Sequence, residues 1–281
     1  MTQCSVHRRR EHRVRRAVLA LCVALLATCA TACRRKAPAD ALSHGRLVVF
    51  AAASLREVFT RLGSDFEQAH PGVEVTFNFA GTQELRSQVE HGAAVDVFAS
   101  ADARHMDALL RDARVLDPVI FAGNEPVIVV SREAAQRVRT LAELPAAERI
   151  VLGAPEVPIG RYTVTLLDRA NRTLGADFRA RVEARVVSRE LNVRQVLAKV
   201  SLGEAQAGIV YRTDALTAGA SVTVVAIPSE LNVVAEYPIA VAAGAPNPEL
   251  ARAWVALVLS PAGRGALAQA GFGTPRAGAS P

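Results

Sequence analysis

The chain has 281 residues and a formal net charge of +6, long enough for one large domain or two lobes with real cores. Residues 1–40 hold eight Arg and one Lys against Glu11 and Asp40, a net of +7, so residues 41–281 come to about −1. The basic balance therefore belongs to the start of the chain and gives no basis for a nucleic-acid partner.

Arg8, Arg9, Arg10, Arg13, Arg15 and Arg16 precede an apolar run, Ala17 to Ala32, that no charge interrupts. A basic start, a short apolar core and Ala30-Thr31-Ala32 read as an export signal over 1–32, not a transmembrane helix. Cys33 follows directly, as the lipid-bearing residue does in a bacterial lipoprotein signal. The rival reading is an ordinary cleaved signal. Cys4, Cys22, Cys29 and Cys33 are all the cysteines in the chain. The exported part then uses no disulfide and no thiolate metal site.

Residues 33–45 read as a polar, alanine-rich linker. Beyond it, short apolar runs alternate with helical periodicity. Strands are predicted at 47–51, 73–79, 95–99, 126–130, 150–153, 184–187, 207–210, 222–226 and 237–242. Helices are predicted at 55–69, 83–91, 103–112, 161–174, 193–202, 248–259 and near 262–270. This alternation predicts an α/β chain with mainly parallel sheets flanked by helices, and ligand sites at strand C-termini.

Four strand-to-helix turns share one chemistry: Ala53-Ser54, Ala80-Gly81-Thr82, Val157-Pro158-Ile159-Gly160 and Glu190-Leu191-Asn192-Val193. Each combines small or polar residues with unpaired backbone donors at a helix start, where an anion is favoured. Ser54 is expected at the N-cap of its helix. As plain structure, Ser54 and Thr82 would be simple caps. Four such turns without a phosphate loop or nucleotide fingerprint point to an anion cradled by several helix ends. His44, His70, His91 and His105 show no metal spacing, and no Ser/His/Asp arrangement is legible, so an enzyme is not expected.

Five ordered motifs, Phe50-Ala-Ala-Ala-Ser-Leu55, Asp96-Val-Phe-Ala-Ser-Ala-Asp102, Val157-Pro-Ile-Gly-Arg-Tyr162, Gly208-Ile-Val-Tyr211 and Glu236-Tyr-Pro-Ile-Ala-Val241, carry a family resemblance. The stretch from Leu47 to Phe272 resembles the periplasmic molybdate-binding proteins that feed ABC transporters. The resemblance implies a two-lobed class II solute-binding fold with the ligand in the interlobe cleft. It places the oxyanion-binding groups on the hydroxyls of Ser54, Thr82 and Tyr211 and the backbone donors of Ile159 and Val193. The ligand so held is molybdate or tungstate, with no cofactor. The implied partners are an ABC permease and its ATPase, for a periplasmic monomer that meets the membrane only through the permease or a lipid anchor. Gly81-Thr82-Gln83-Glu84 departs from the family's usual serine run but keeps a hydroxyl. Glu84 is expected to point away from a dianion.

The lobes are expected at 46–123 plus 232–281, and at 124–231, with crossovers near Gly123-Asn124-Glu125-Pro126 and between Ile227 and Tyr237 serving as the hinge. Asp96 and Asp102 read as turn and cap residues, Arg161 as a solvated arginine, and Tyr237-Pro238 as a shaper of the return crossover. Tyr211 could equally be a core tyrosine. The alternatives are a binder of another oxyanion such as sulfate, or of ferric iron. Iron asks for anionic oxygen ligands, and Tyr162, Tyr211 and Tyr237 are scattered along the sequence.

Overall fold

The structure, a computed structural model, describes residues 44–275. The export signal, Cys33 and nearly all of the linker lie outside the described residues.

Two five-stranded sheets organise the chain. The first has the order β2-β1-β3-β10-β4, where β1 is Gly45–Ala52, β2 Val73–Ala80, β3 Val97–Ala99, β4 Val115–Asn124 and β10 Ala235–Ala242. The second has the order β7-β6-β8-β5-β9, where β5 is Pro126–Val130, β6 Ile150–Gly153, β7 Val186–Glu190, β8 Ala207–Tyr211 and β9 Thr223–Val225. Four of the five strands in each sheet run one way. The reversed strand is β10 in the first and β5 in the second, antiparallel to both its neighbours. Each reversed strand is the first one laid down after the chain changes sheet. The chain passes from β4 to β5 across Glu125 alone, and returns between β9 and β10. This is the two-lobed α/β arrangement the motifs imply, each sheet forming the centre of one lobe.

The helices cover both sheets. In the first lobe, α1 (Arg56–Ala69), α2 (Thr82–Glu90) and α3 (Ala103–Arg111) follow β1, β2 and β3. In the second, α4 (Pro158–Leu174), α5 (Phe178–Glu183), α6 (Val193–Ser201) and α7 (Arg212–Ala218) occupy the same roles. After β10, α8 (Pro248–Leu259) and α9 (Pro261–Gln269) pack back on the first lobe. The period of two in β1 sends Leu47, Val49 and Ala51 to one face of the sheet and Phe50 to the other. On the first face Trp254 from α8 meets Phe59 edge-on at 5.5 Å and Phe66 at 5.7 Å. On the second, Phe50 joins Phe98, Met106 and Leu109 beneath α2 and α3.

Strand β4 was not among the predicted elements. Its sequence, Val-Leu-Asp-Pro-Val-Ile-Phe-Ala-Gly-Asn, contains Pro118, and Asp117 has φ +44°. It is one of the sheet's two edge strands, and its pairing with β10 shifts register twice. Pro and irregular backbone are tolerated there because one side of the ladder is open. The short helices α5 and α7 were also unpredicted, each holding too few residues to establish a helical period.

Phe59 is fully buried and touches both Phe121 of β4 and Trp254 of α8. Phe59→Ala is expected to destabilise the first lobe by about 3–5 kcal/mol, the usual range for deleting a buried aromatic. Urea unfolding followed by the fluorescence of Trp254, the chain's single tryptophan, measures it.

Candidate functional site

Strands β1 and β2 lie side by side in the first sheet, and β6, β7 and β8 form a block in the second. Their C-terminal ends deliver Ser54, Thr82, Ile159, Val193 and Tyr211 in turn. All five line one cavity, with an enclosed and mouth volume of about 230 Å³. Ala52, Ala53, Ala80, Gly81, Ala101, Val157, Pro158 and Asn192 complete its wall. No charged side chain is among them.

The local geometry corrects several expectations. Ser54 does not cap a helix. It sits inside a 3-10 turn, Ala53–Leu55, with Leu55 at the N-cap of α1. Its Oγ lies 2.9 Å from the hydroxyl of Tyr237 instead. Thr82 is the first residue of α2, one place before the predicted start, with Gly81 at the N-cap. The Ala101 amide donates to Thr82 Oγ1 at 3.2 Å, so the threonine proton is free for another acceptor. Helix α4 begins at Pro158, three residues earlier than predicted. Proline suits that first-turn position, and Val157 offers no side-chain cap, which leaves the first-turn amides to other acceptors. Gly160 is required because a Cβ there would run into the Ala154 carbonyl. At α6, Asn192 caps by accepting from the Gln195 amide at 3.1 Å.

Tyr211 is 1% exposed, and among the described residues its hydroxyl has no hydrogen-bond partner. Burial, then the neighbouring Tyr237, pushes its ionisation well above the usual phenol range, so it remains a donor. The tyrosines that look scattered in sequence are gathered in space. Tyr211 meets Tyr162 at 6.5 Å and Tyr237 at 5.8 Å, edge to face. Tyr237 does not merely shape a crossover: it lies within β10, fully buried, with its hydroxyl on Ser54. Glu84 turns back to accept from the Gly81 amide at 3.1 Å and is not part of the cavity wall.

Contacts between the lobes ring the cavity. Gln83 Nε2 donates to the Leu191 carbonyl at 2.6 Å. Arg104 and His105 both donate to the Glu156 carbonyl, at 2.9 and 3.1 Å. Burial holds His105 below its usual range, which favours the neutral ring. Arg161 is not simply solvated. Its guanidinium pairs with Asp102 across the cleft at 3.3 Å and lies over the Tyr162 ring at 4.8 Å. Asp102 also caps α3 through the His105 amide at 3.1 Å, as expected. Asp96 ties rather than caps: its carboxylate accepts from the Val48 amide at 2.8 Å and the Asn247 amide at 2.6 Å, joining β1 to the start of α8. Arg194 reaches Glu57 of the first lobe and Asp214 of its own, the latter at 2.7 Å. Complete burial, opposed by Arg194, pushes the Asp214 carboxyl up to about 7.

A family model for bacterial extracellular solute-binding proteins matches residues 47–273. The molybdate-binding protein ModA of Mycobacterium tuberculosis is 40% identical over 261 residues, 92% of this chain and 96% of that one. Among solved structures, the periplasmic molybdate-binding protein of Azotobacter vinelandii matches with a TM-score of 0.71 at 18% identity, covering 82% of this chain and 100% of its own. The sulfate-binding protein SubI of Mycobacterium tuberculosis matches with a TM-score of 0.74 at 18% identity, covering 83% of this chain and 88% of its own. At such identities the two structures speak for the fold alone. With the family model spanning residues 47–273 and a 40%-identical relative covered almost end to end, the chain belongs to the bacterial extracellular solute-binding protein family, whose members hold a solute and do not transform it.

Proposed function

We propose that the chain is the binding component of an ABC importer that captures molybdate, and tungstate equally, between its lobes. The oxyanion is held by the hydroxyls of Ser54, Thr82 and Tyr211 and the amides of Ile159 and Val193, and is then passed to a membrane permease and its ATPase. The observation that carries this reading is the buried Tyr211 hydroxyl, unpartnered in a cavity wall without charge. A hydroxyl left unsatisfied in a protein interior costs about 1–3 kcal/mol, a cost that an anion's oxygen would remove. The likeness to the molybdate-binding relative supports the choice of ion.

Sulfate is the second reading, since the cavity wall offers it the same uncharged donors. It carries the same charge and no proton, so only size separates it from molybdate. Ferric iron fits less well. Of the three clustered tyrosines only Tyr211 lines the cavity, and no carboxylate joins it there. The remaining parts of the reading are export by the 1–32 signal and a periplasmic monomer, with a lipid tether at Cys33 standing against an ordinary cleaved signal.

Titration calorimetry with molybdate, tungstate, sulfate and phosphate tests the ligand. Molybdate and tungstate are expected to bind alike, sulfate much more weakly, and phosphate least, because its proton finds no committed acceptor. Sulfate binding equal to molybdate would replace the named ligand. Ser54→Ala and Tyr211→Phe should each weaken binding by about tenfold or more, from roughly 1.5–3 kcal/mol per hydrogen bond to a charged group.

Gly81 tests closure. A Cβ at that position would run into the Leu191 carbonyl of the opposite lobe. Gly81→Ala is expected to cost about 1–3 kcal/mol of overpacking in the closed state only, or roughly five- to 150-fold in affinity. The thermal midpoint of the ligand-free protein should hardly move. An unchanged affinity would mean that the lobes bind without closing this far.

Mass spectrometry of the mature N-terminus decides the tether. A mature chain beginning at Cys33 and carrying a lipid mass would establish the anchor. An unmodified chain beginning beyond Cys33 would remove the anchor and leave export standing.

A further inference from the structure

A serine hydroxyl can donate one hydrogen bond and accept others. Which of these it offers to a ligand depends on what its neighbours demand. For Ser54 the neighbours form a chain whose direction can be read from one end. The Glu125 amide, which can only donate, lies 3.0 Å from Asn124 Oδ1. That contact identifies the oxygen end of the Asn124 side chain. Its Nδ2 end therefore faces the other way, donating to Thr213 Oγ1 at 2.8 Å and reaching the Tyr237 hydroxyl at 3.5 Å. Asn124 donates toward the Tyr237 oxygen, and among the described residues the only other partner of that hydroxyl is Ser54 Oγ at 2.9 Å, so its single proton goes there. Ser54 then accepts from Tyr237 and keeps its own proton for the cavity.

We propose that Tyr237 is a positioning residue that, with Asn124 behind it, commits Ser54 to donating and so selects oxyanions that carry no proton. The inference rests on the proposed role of Ser54 at the ligand. All three side chains are buried, with exposures of 3% for Ser54, 0% for Tyr237 and 2% for Asn124, so water does not compete for the chain. Asn124 is the last residue of β4, beside the crossover, and Thr213 lies in α7 of the second lobe. The chain thus joins the crossover to the ligand-facing hydroxyl through side chains alone.

The test is a double-mutant cycle read by calorimetry. Wild type, Tyr237→Phe, Ser54→Ala and the double variant are titrated with molybdate and with phosphate. Tyr237→Phe is expected to weaken molybdate by roughly five- to tenfold, part of the value of a charged hydrogen bond. It should narrow the gap between molybdate and phosphate, because an unconstrained Ser54 can turn to accept the phosphate proton. In the Ser54→Ala background it should change neither affinity, since the tyrosine acts only through that serine. A purely structural tyrosine would instead weaken both ions alike and multiply with Ser54→Ala, and that outcome overturns the proposal. Should Tyr237→Phe fail to fold, Asn124→Asp reverses the chain by placing an acceptor behind Tyr237. It should then weaken molybdate and narrow the same gap; an unchanged gap overturns the proposal.

Wild-type titrations judge the proposed function separately. Binding of sulfate without molybdate would overturn the named ligand, and the cycle would be run with sulfate, which also carries no proton. Binding of neither ion overturns both proposals.

Discussion

Holding a dianion out of water without a counter-charge is the constraint on which the proposed site depends. A buried ion without partners would cost far more than a folded domain can spare. The proposed site would meet this demand with neutral donors alone, from strand ends and helix starts, since no charged side chain lines the cavity. Strands β1 and β2 pair as far as Ala52 and Ala80, β6 and β7 pair as far as Gly153 and Glu190 after one register shift, and β8 pairs with β5 as far as Tyr211, so these C-terminal ends are held by ladder hydrogen bonds. Each helix start adds aligned peptide dipoles, equivalent to about half a positive charge. The result is a positive potential spread over the wall and concentrated on no side chain. For a protein that must also release its ligand, that distribution is preferable to a buried arginine. A direct ion pair in the low-dielectric interior is strong once formed and leaves an uncompensated charge when broken.

The lobes are joined around this site by contacts that are individually modest. Exposed ion pairs are typically worth less than about 1 kcal/mol, which describes Arg194 with the half-exposed Glu57; Arg161, itself partly open to solvent, meets a buried Asp102. The hydrogen bonds to the Leu191 and Glu156 carbonyls exchange with water when the lobes part. On the proposed reading, a ligand bonded to both lobes would add to these contacts and turn binding into a change of shape. Asp102 shows how economically the rim is made: one buried carboxylate caps α3 in the first lobe and receives Arg161 from the second.

Much of this was legible in the sequence because strand-to-helix turns announce themselves locally. Ala-Ser, Gly-Thr, Pro-Ile-Gly and Asn-Val each combine small size with a polar or helix-starting residue, and the local pattern needs no knowledge of the rest of the chain. What the sequence hid depends on long-range pairing. The Ser54–Tyr237 hydrogen bond spans 183 positions, and nothing near either residue marks it. Ser54 looked like a cap because an isolated serine before an amphipathic run usually is one; only the inserted 3-10 turn shows otherwise. Tyr237 looked like a crossover residue because of the proline after it. Its signal, in retrospect, was membership in the Glu-Tyr-Pro-Ile motif. Arg161 looked solvated because its partner, Asp102, lies in the other lobe. Strand β4 was masked by a proline that only an edge position accommodates.

Size selection among ions of equal charge needs a rigid limit on closure, and the structure contains a candidate for it. Gly81, at the N-cap of α2, has no room for a Cβ because the Leu191 carbonyl lies against it from the second lobe. The same carbonyl accepts from Gln83, so the contact is attractive as well as limiting. Backbone meeting backbone leaves nothing to compress: packed interiors yield little, and the two loops are pinned by β2 and β7 behind them. If the lobes stop there, the distance between Ser54 and Thr82 on one side and Ile159, Val193 and Tyr211 on the other is fixed before any ligand arrives. A larger tetrahedral ion can then reach donors on both sides. A smaller one, satisfied on one side, leaves the other short, and further closing cannot make up the gap. Specificity would arise from this stop, with the donors themselves indifferent to which dianion they hold.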